Sequence, residues 1–167
     1  MNRSAIFGRM PLQHLSINNL IQFGDDLSVG HAAIDAQHRA IFNLGAKVHE
    51  DWRTGGSIDI LRPAVDKLND LMHAHFAFEE RTLDAIGYHD LKNHAAEHRS
   101  MLDELSIMHD RFRGFKGGLE TRGGSLLAPG WPIMQFVLGF TVGHVMSSDL
   151  SYCQALIANR DQAQSIG

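Results

Sequence analysis

The sequence predicts an all-α fold, an antiparallel up-down-up-down four-helix bundle, and three observations carry that reading. Apolar residues recur at helical spacing along four long segments. Short runs rich in glycine and proline separate those segments. No stretch alternates apolar and polar residues for long enough to make a strand, and neither internal repeats nor low-complexity tracts are visible.

Residues 1–23 mix apolar and polar side chains without a sustained period, and Pro11 interrupts them, so they read as an N-terminal arm outside a bundle spanning 24–160. The turn-rich run Gly24 to Gly30 offers Asp26 or Ser28 as a cap, which sets the first helix to begin near His31. Ile34, Ile41, Phe42, Leu44, Ala46 and Val48 form its apolar face, and Thr54-Gly55-Gly56 ends it. A second helix starts around Ser57 or Asp59 and tolerates Pro63 in its opening turns. Its stripe runs from Ala64 through Leu68, Met72, Phe76 and Leu83 until Gly87 stops it. A third helix spans Asp90 to Phe112 with Leu91, Met101, Leu102, Leu105 and Met108 inward. The glycine-rich stretch 114–130 is a loop, and a fourth helix is expected from Trp131-Pro132 to about Asn159.

Composition bounds what such a bundle does. A chain of 167 residues with 44% hydrophobic content suits one domain with a real core. A net charge of -4, without a basic run or basic amphipathic stretch, gives no reason to expect nucleic acid or a membrane surface as partner. Pro132 to Met146, the most apolar run, contains Gln135 and His144 and is too short to span a bilayer. No signal peptide is visible, and a single cysteine, Cys153, suits a reducing compartment, so a soluble cytoplasmic protein is expected. The outlier is histidine, at 11 residues.

Five of those histidines, together with two carboxylates, fall on the inward stripes. His38 lies on the first helix, His75 and Glu79 on the second, His94 and His98 on the third, and His144 and Asp149 on the fourth. In helices, residues four apart share a face, so His75 with Glu79 and His94 with His98 are chelating pairs. Each pair alone is commonplace on a solvated surface. In an alternating bundle, however, all seven meet near one level, and leaving them unpaired would cost on the order of 1–3 kcal/mol per group. Metal resolves that, and seven nitrogen and oxygen donors exceed the needs of one four-coordinate zinc ion, which points to two first-row metals, iron foremost.

The order His38, His75-x-x-x-Glu79, His94-x-x-x-His98, His144-x-x-x-x-Asp149 resembles the ligand set of the hemerythrins, in particular the bacterial ones. Val29-Gly30, Ile34-Asp35-x-Gln37-His38, His75-Phe76-x-x-Glu79-Glu80 and Gly87-Tyr88 match locally, and the likeness covers residues 22–155. The resemblance implies two iron ions, one held by His94, His98 and His144 and the other by His38 and His75. Glu79, Asp149 and an oxo or hydroxo group would bridge them. It implies reversible binding of dioxygen at the iron with fewer histidines, for carriage, storage or sensing. It also implies a dry pocket, onto which Phe76, Phe140, Thr141 and Val145 map.

Departures from the family leave choices open. Phe140 stands where tryptophan is common and Phe23 likewise. The Thr141 hydroxyl would either face the bound ligand or bond its own helix carbonyl. His31 serves as an outer base, an extra ligand or a cap; Asp35 orients an imidazole or is a surface charge. Cys153 reads as packing, and His14, His49, His73, His89 and His109 as surface or capping residues. Glu80 is expected to matter far less than Glu79. A non-enzymatic oxygen binder is the leading expectation. A di-iron enzyme acting on dioxygen, peroxide or nitric oxide is the alternative, favoured by Thr141 and His31 but opposed by five histidines against two carboxylates. The glycine-rich loop or the N-terminal arm is the place for a protein partner.

Overall fold

The computed structural model describes residues 23–54, 58–114, 135–137 and 139–166. The arm over 1–22, most of the glycine-rich loop and the expected helix start at Trp131-Pro132 lie outside them. The described residues are mostly helical and include no strand. A short 3-10 turn, Asp25–Leu27, leads into α1 (Ala32–Arg53), α2 (Ile58–Ala85) and α3 (Leu91–Gly114). The central helix, α2, packs against both α1 and α3.

The α2–α3 reversal follows from one glycine. Gly87 sits at φ 64, and the amides of Gly87 and Tyr88 bond back to the carbonyls of Asp84 and Leu83, both at 2.9 Å. That pair of bonds is the Schellman arrangement, and Tyr88 joins Leu83 in one apolar cluster as the arrangement favours. Asp90 opens α3, its carbonyl accepting from Asn93 and His94, both at 3.1 Å.

The fourth arm differs from the continuous helix the periodicity predicts. Gly139–Val145 is π-helical, Met146 to Ser148 turn, Asp149–Tyr152 is a 3-10 helix, and short helices α4 (Cys153–Ala158) and α5 (Arg160–Gln164) follow. Two glycines and the β-branched Thr141 and Val142 weaken regular helix here. The Ser147 hydroxyl also bonds back to the Gly143 carbonyl, which bends a helix. Helix α5 docks on α2, where the Gln162 amide donates to the Ala85 carbonyl.

Apolar residues gather in two clusters. One contains Ile41, Phe42, Leu68, Met72, Phe76, Leu105, Phe140 and Val145, and the other Val29, Ile34, Leu83, Tyr152, Leu156 and Ala163. Along each helix the change from one cluster to the other brackets the residues of interest: His38 lies between Ile34 and Ile41, Glu79 between Phe76 and Leu83, Asp149 between Val145 and Tyr152. A polar layer therefore divides the core.

Candidate metal centre

That layer consists of His38, His75, Glu79, His94, His98, His144 and Asp149, all buried. Their ligating atoms fall into two groups. Glu79, His94, His98, His144 and Asp149 converge within 4.8 Å of one another, and so do His38, His75, Glu79 and Asp149. The two carboxylates belong to both.

Each carboxylate divides its oxygens between the groups. Glu79 places Oε1 2.7 Å from His94 Nε2 and Oε2 3.0 Å from His75 Nε2. Asp149 places Oδ1 3.0 Å from His144 Nε2 and Oδ2 3.2 Å from His38 Nε2. The five-residue step from His144 makes this possible, because the π-helical segment and the turn after it carry Asp149 around to face both sides.

Outer partners orient the rings. His98 Nδ1 donates to Glu80 at 2.8 Å, His144 Nδ1 to Glu97 at 3.2 Å, and His75 Nδ1 to the Gln37 carboxamide oxygen at 3.1 Å. Because a carboxylate or amide oxygen only accepts, each contact puts a proton on Nδ1 and turns Nε2 inward. Burial lowers the His98 pKa to about 3, so this ring is neutral at pH 7 and its Nε2 presents a lone pair. That lone pair meets His144 Nε2 at 2.9 Å. Burial disfavours charge on His144 too, but the close Asp149 carboxylate, with Glu79 and Glu97 nearby, raises its pKa overall.

These residues fit a pair of cations. Burial pushes the Glu79 carboxyl upward, yet the close His75 and His94 imidazoles hold it well below the ordinary value. For Asp149, burial and the Glu79 charge push upward, while His144 and His38 bring the balance below the ordinary value. Two carboxylates are thus ionised in a dry core. These imidazole contacts are close but poorly directed: Glu79 Oε2 and both Asp149 oxygens, like His38 Nδ1, have no partner aligned for a full hydrogen bond. Two nitrogens held about 2.1 Å from one ion and roughly 90–110° apart lie about 3.0–3.4 Å from each other. The Nε2 pairs of His38 with His75, at 3.2 Å, and of His98 with His144, at 2.9 Å, are close to that spacing.

Aromatic rings wall the layer. Phe76 stacks on His98 with centroids 3.8 Å apart, and Phe140 stands 5.8 Å from both His38 and His75. Val145 is buried beside them, and Phe23 covers His38 from the other side at 6.0 Å. The Thr141 side chain lies outside the described structure. His31 is remote from the layer: its Nδ1 accepts from the Ile34 amide and its Nε2 donates to the Ala163 carbonyl, so it caps α1 and ties down α5. Asp35 accepts from Ser28 Oγ and the Val29 amide, fixing the turn before α1 rather than an imidazole. Cys153 is half-buried against the second cluster. His109 pairs with Asp66 across α2 and α3.

The sequence reading missed three participants. Tyr152 is fully buried, its ring 5.6 Å from His94, and burial together with the Asp149 and Glu79 charges raises its pKa well above the ordinary value. Its place three residues after Asp149 is the only sequence signal. Glu80 and Glu97 each stand beside a predicted ligand in sequence but serve a histidine on the next element. Nothing in one helix's pattern shows that.

The sequence matches the family described as "Hemerythrin HHE cation binding domain" over residues 29–139. That span holds His38, His75, Glu79, His94 and His98 and ends before His144 and Asp149. Proteins named bacteriohemerythrin are similar along most of the chain. One from Methylococcus capsulatus is 29% identical over 137 residues, covering 82% of this chain and 93% of that protein. One from Pseudomonas aeruginosa is 28% identical over 133 residues, covering 79% and 78%. One from Clostridium acetobutylicum is 30% identical over 84 residues, covering 48% and 65%. No solved structure matches the chain at a significant level.

Proposed function

This chain belongs to the hemerythrin family, and we propose that it is a non-heme di-iron protein that binds dioxygen reversibly. The observation that carries the reading is the division of Glu79 and Asp149, one oxygen to each of two histidine groups. His94, His98 and His144 would hold one iron, and His38 and His75 the other. The two carboxylates would bridge them, with a solvent-derived oxo or hydroxo group completing the bridge. When bound, a reduced iron pair would supply the redox chemistry for reversible dioxygen binding.

The protein's part is orientation and exclusion of water. Gln37, Glu80 and Glu97 hold three rings with Nε2 inward. Phe76, Phe140 and Val145 keep bulk water from the side of His38 and His75, the pair with fewer donors and so the side open to a ligand. Reversible binding requires that protons be scarce there. Fully buried and with its pKa raised, the Tyr152 phenol keeps its proton. The enzyme alternative loses one of its two supports, because His31 is engaged as a cap. Five imidazoles against two carboxylates further favour binding over oxygen activation. Among the described residues no helix is long and apolar enough to cross a membrane.

Metal analysis with an optical spectrum tests the proposal. The reduced protein should carry two irons per chain and change absorption on aeration, and deoxygenation should reverse the change over several cycles. Fewer than two metals sinks the di-iron assignment, and irreversible oxidation with turnover of peroxide favours an enzyme.

A further inference from the structure

The outer partners of the histidines are distributed unevenly. In the five-donor group, His98 and His144 are each backed by a carboxylate, Glu80 at 2.8 Å and Glu97 at 3.2 Å. Glu97 is itself fixed, since Ser148 Oγ donates to the same oxygen at 2.6 Å. In the four-donor group, His75 is backed only by the neutral carboxamide of Gln37, and His38 Nδ1 is buried without a hydrogen-bond partner. Both kinds of backing fix the ring and its tautomer. Only a carboxylate also draws Nδ1–H toward itself, which makes Nε2 a stronger donor to a cation.

From this arrangement we infer that Glu80 and Glu97 are positioning residues that set the order of metal loading, making the His94, His98 and His144 group the tight site and leaving the His38 and His75 group the weaker one. The inference rests on the two-metal reading above. It assigns a role to residues that donate nothing to the metals themselves and that a surface-charge reading would dismiss. Glu80 is 37% exposed and Glu97 51% exposed, so neither is required by the core. It also gives a reason for the chain's cross-bracing: Gln37 of α1 holds a ring of α2, Glu80 of α2 a ring of α3, and Glu97 of α3 the ring of His144.

The test is calorimetric titration of the metal-free full chain with Zn(II) alone, which reads affinity and stoichiometry without any oxygen chemistry. The parent protein should take up two ions in two steps, and His75→Gln should keep the tight step only, which assigns it. Glu80→Gln and Glu97→Gln should each weaken the tight step by about 10–100-fold while leaving the second in place. Gln37→Glu should move the opposite way, strengthening the weaker step, a sign that loss of fold cannot mimic. Two ions bound with both steps unchanged in the glutamine variants, or weakened equally, overturns the inference and spares the two-metal reading. Fewer than two ions on the parent protein overturns both.

Discussion

At the scale of single residues, the ionised carboxylates are what make the centre unusual. Glu79 and Asp149 are completely buried and held below the ordinary carboxylate range by close imidazoles that outweigh burial. Replacing Glu79 with Gln removes the charge and leaves a single oxygen donor where Glu79 now offers one to each group. Metal analysis should therefore fall from two ions per chain to one or none, while circular dichroism keeps its helical signal. A second prediction concerns acid. The folded pKa of His98 is about 3, below its ordinary 6.5, so between those values the unfolded chain takes up a proton that the folded chain refuses. Stability of the metal-free protein is thus lost as pH falls from 6.5 toward 3, and below the ordinary carboxylate range Glu79 and Asp149 add to the loss. His144 acts in the opposite sense: its raised pKa contributes stability that disappears as pH rises through it. Urea midpoints of the metal-free protein should drop steadily from about pH 6.5 to pH 4.5, and a flat profile there contradicts a neutral buried His98.

At the scale of elements, α1 to α3 were legible because their apolar stripes repeat at 3.6 residues and glycines mark their ends. The inward histidines were legible for the same reason. The fourth arm was only half legible, since a stripe of apolar side chains looks alike whether its backbone rings close at four or five residues. The one visible sign was the five-residue step from His144 to Asp149. Contacts between helices, such as Glu80 with His98, Glu97 with His144 and Gln37 with His75, left no sign in any single stripe. His31 and Asp35 show the converse: they sit at helical spacing from His38, yet their partners belong to the chain's turn and its last helix. Gly87 gives the element-scale prediction. With φ at 64, a side chain there is strained although nothing crowds its Cβ. Gly87→Ala should cost about 1 kcal/mol and lower the melting temperature by about 2–4 °C, with metal content unchanged because the change lies beyond the ligand layer.

At the scale of the whole molecule, a polar layer separates two apolar clusters of unequal size. The larger is built mostly on the long helices α1, α2 and α3, joined by Phe136, Val137, Phe140 and Val145 of the fourth arm. The smaller depends on the short segments Asp149–Tyr152, α4 and α5, held by Tyr152, Leu156 and Ala163. Helices of 6 and 5 residues have little stability of their own. What anchors them is Asp149 at one end and the His31 bond to the Ala163 carbonyl at the other. On the proposed two-metal reading, removing metal would replace attraction at Asp149 by two ionised carboxylates sharing a dry space, which would loosen the first anchor and leave the second. Amide hydrogen exchange should accordingly accelerate first over residues 149–164 in the metal-free protein, ahead of 34–48 and 65–83. Restoring the metals should slow that stretch most. If instead protection falls uniformly along the chain, the layer stabilises the bundle as a single unit and the two clusters do not open separately.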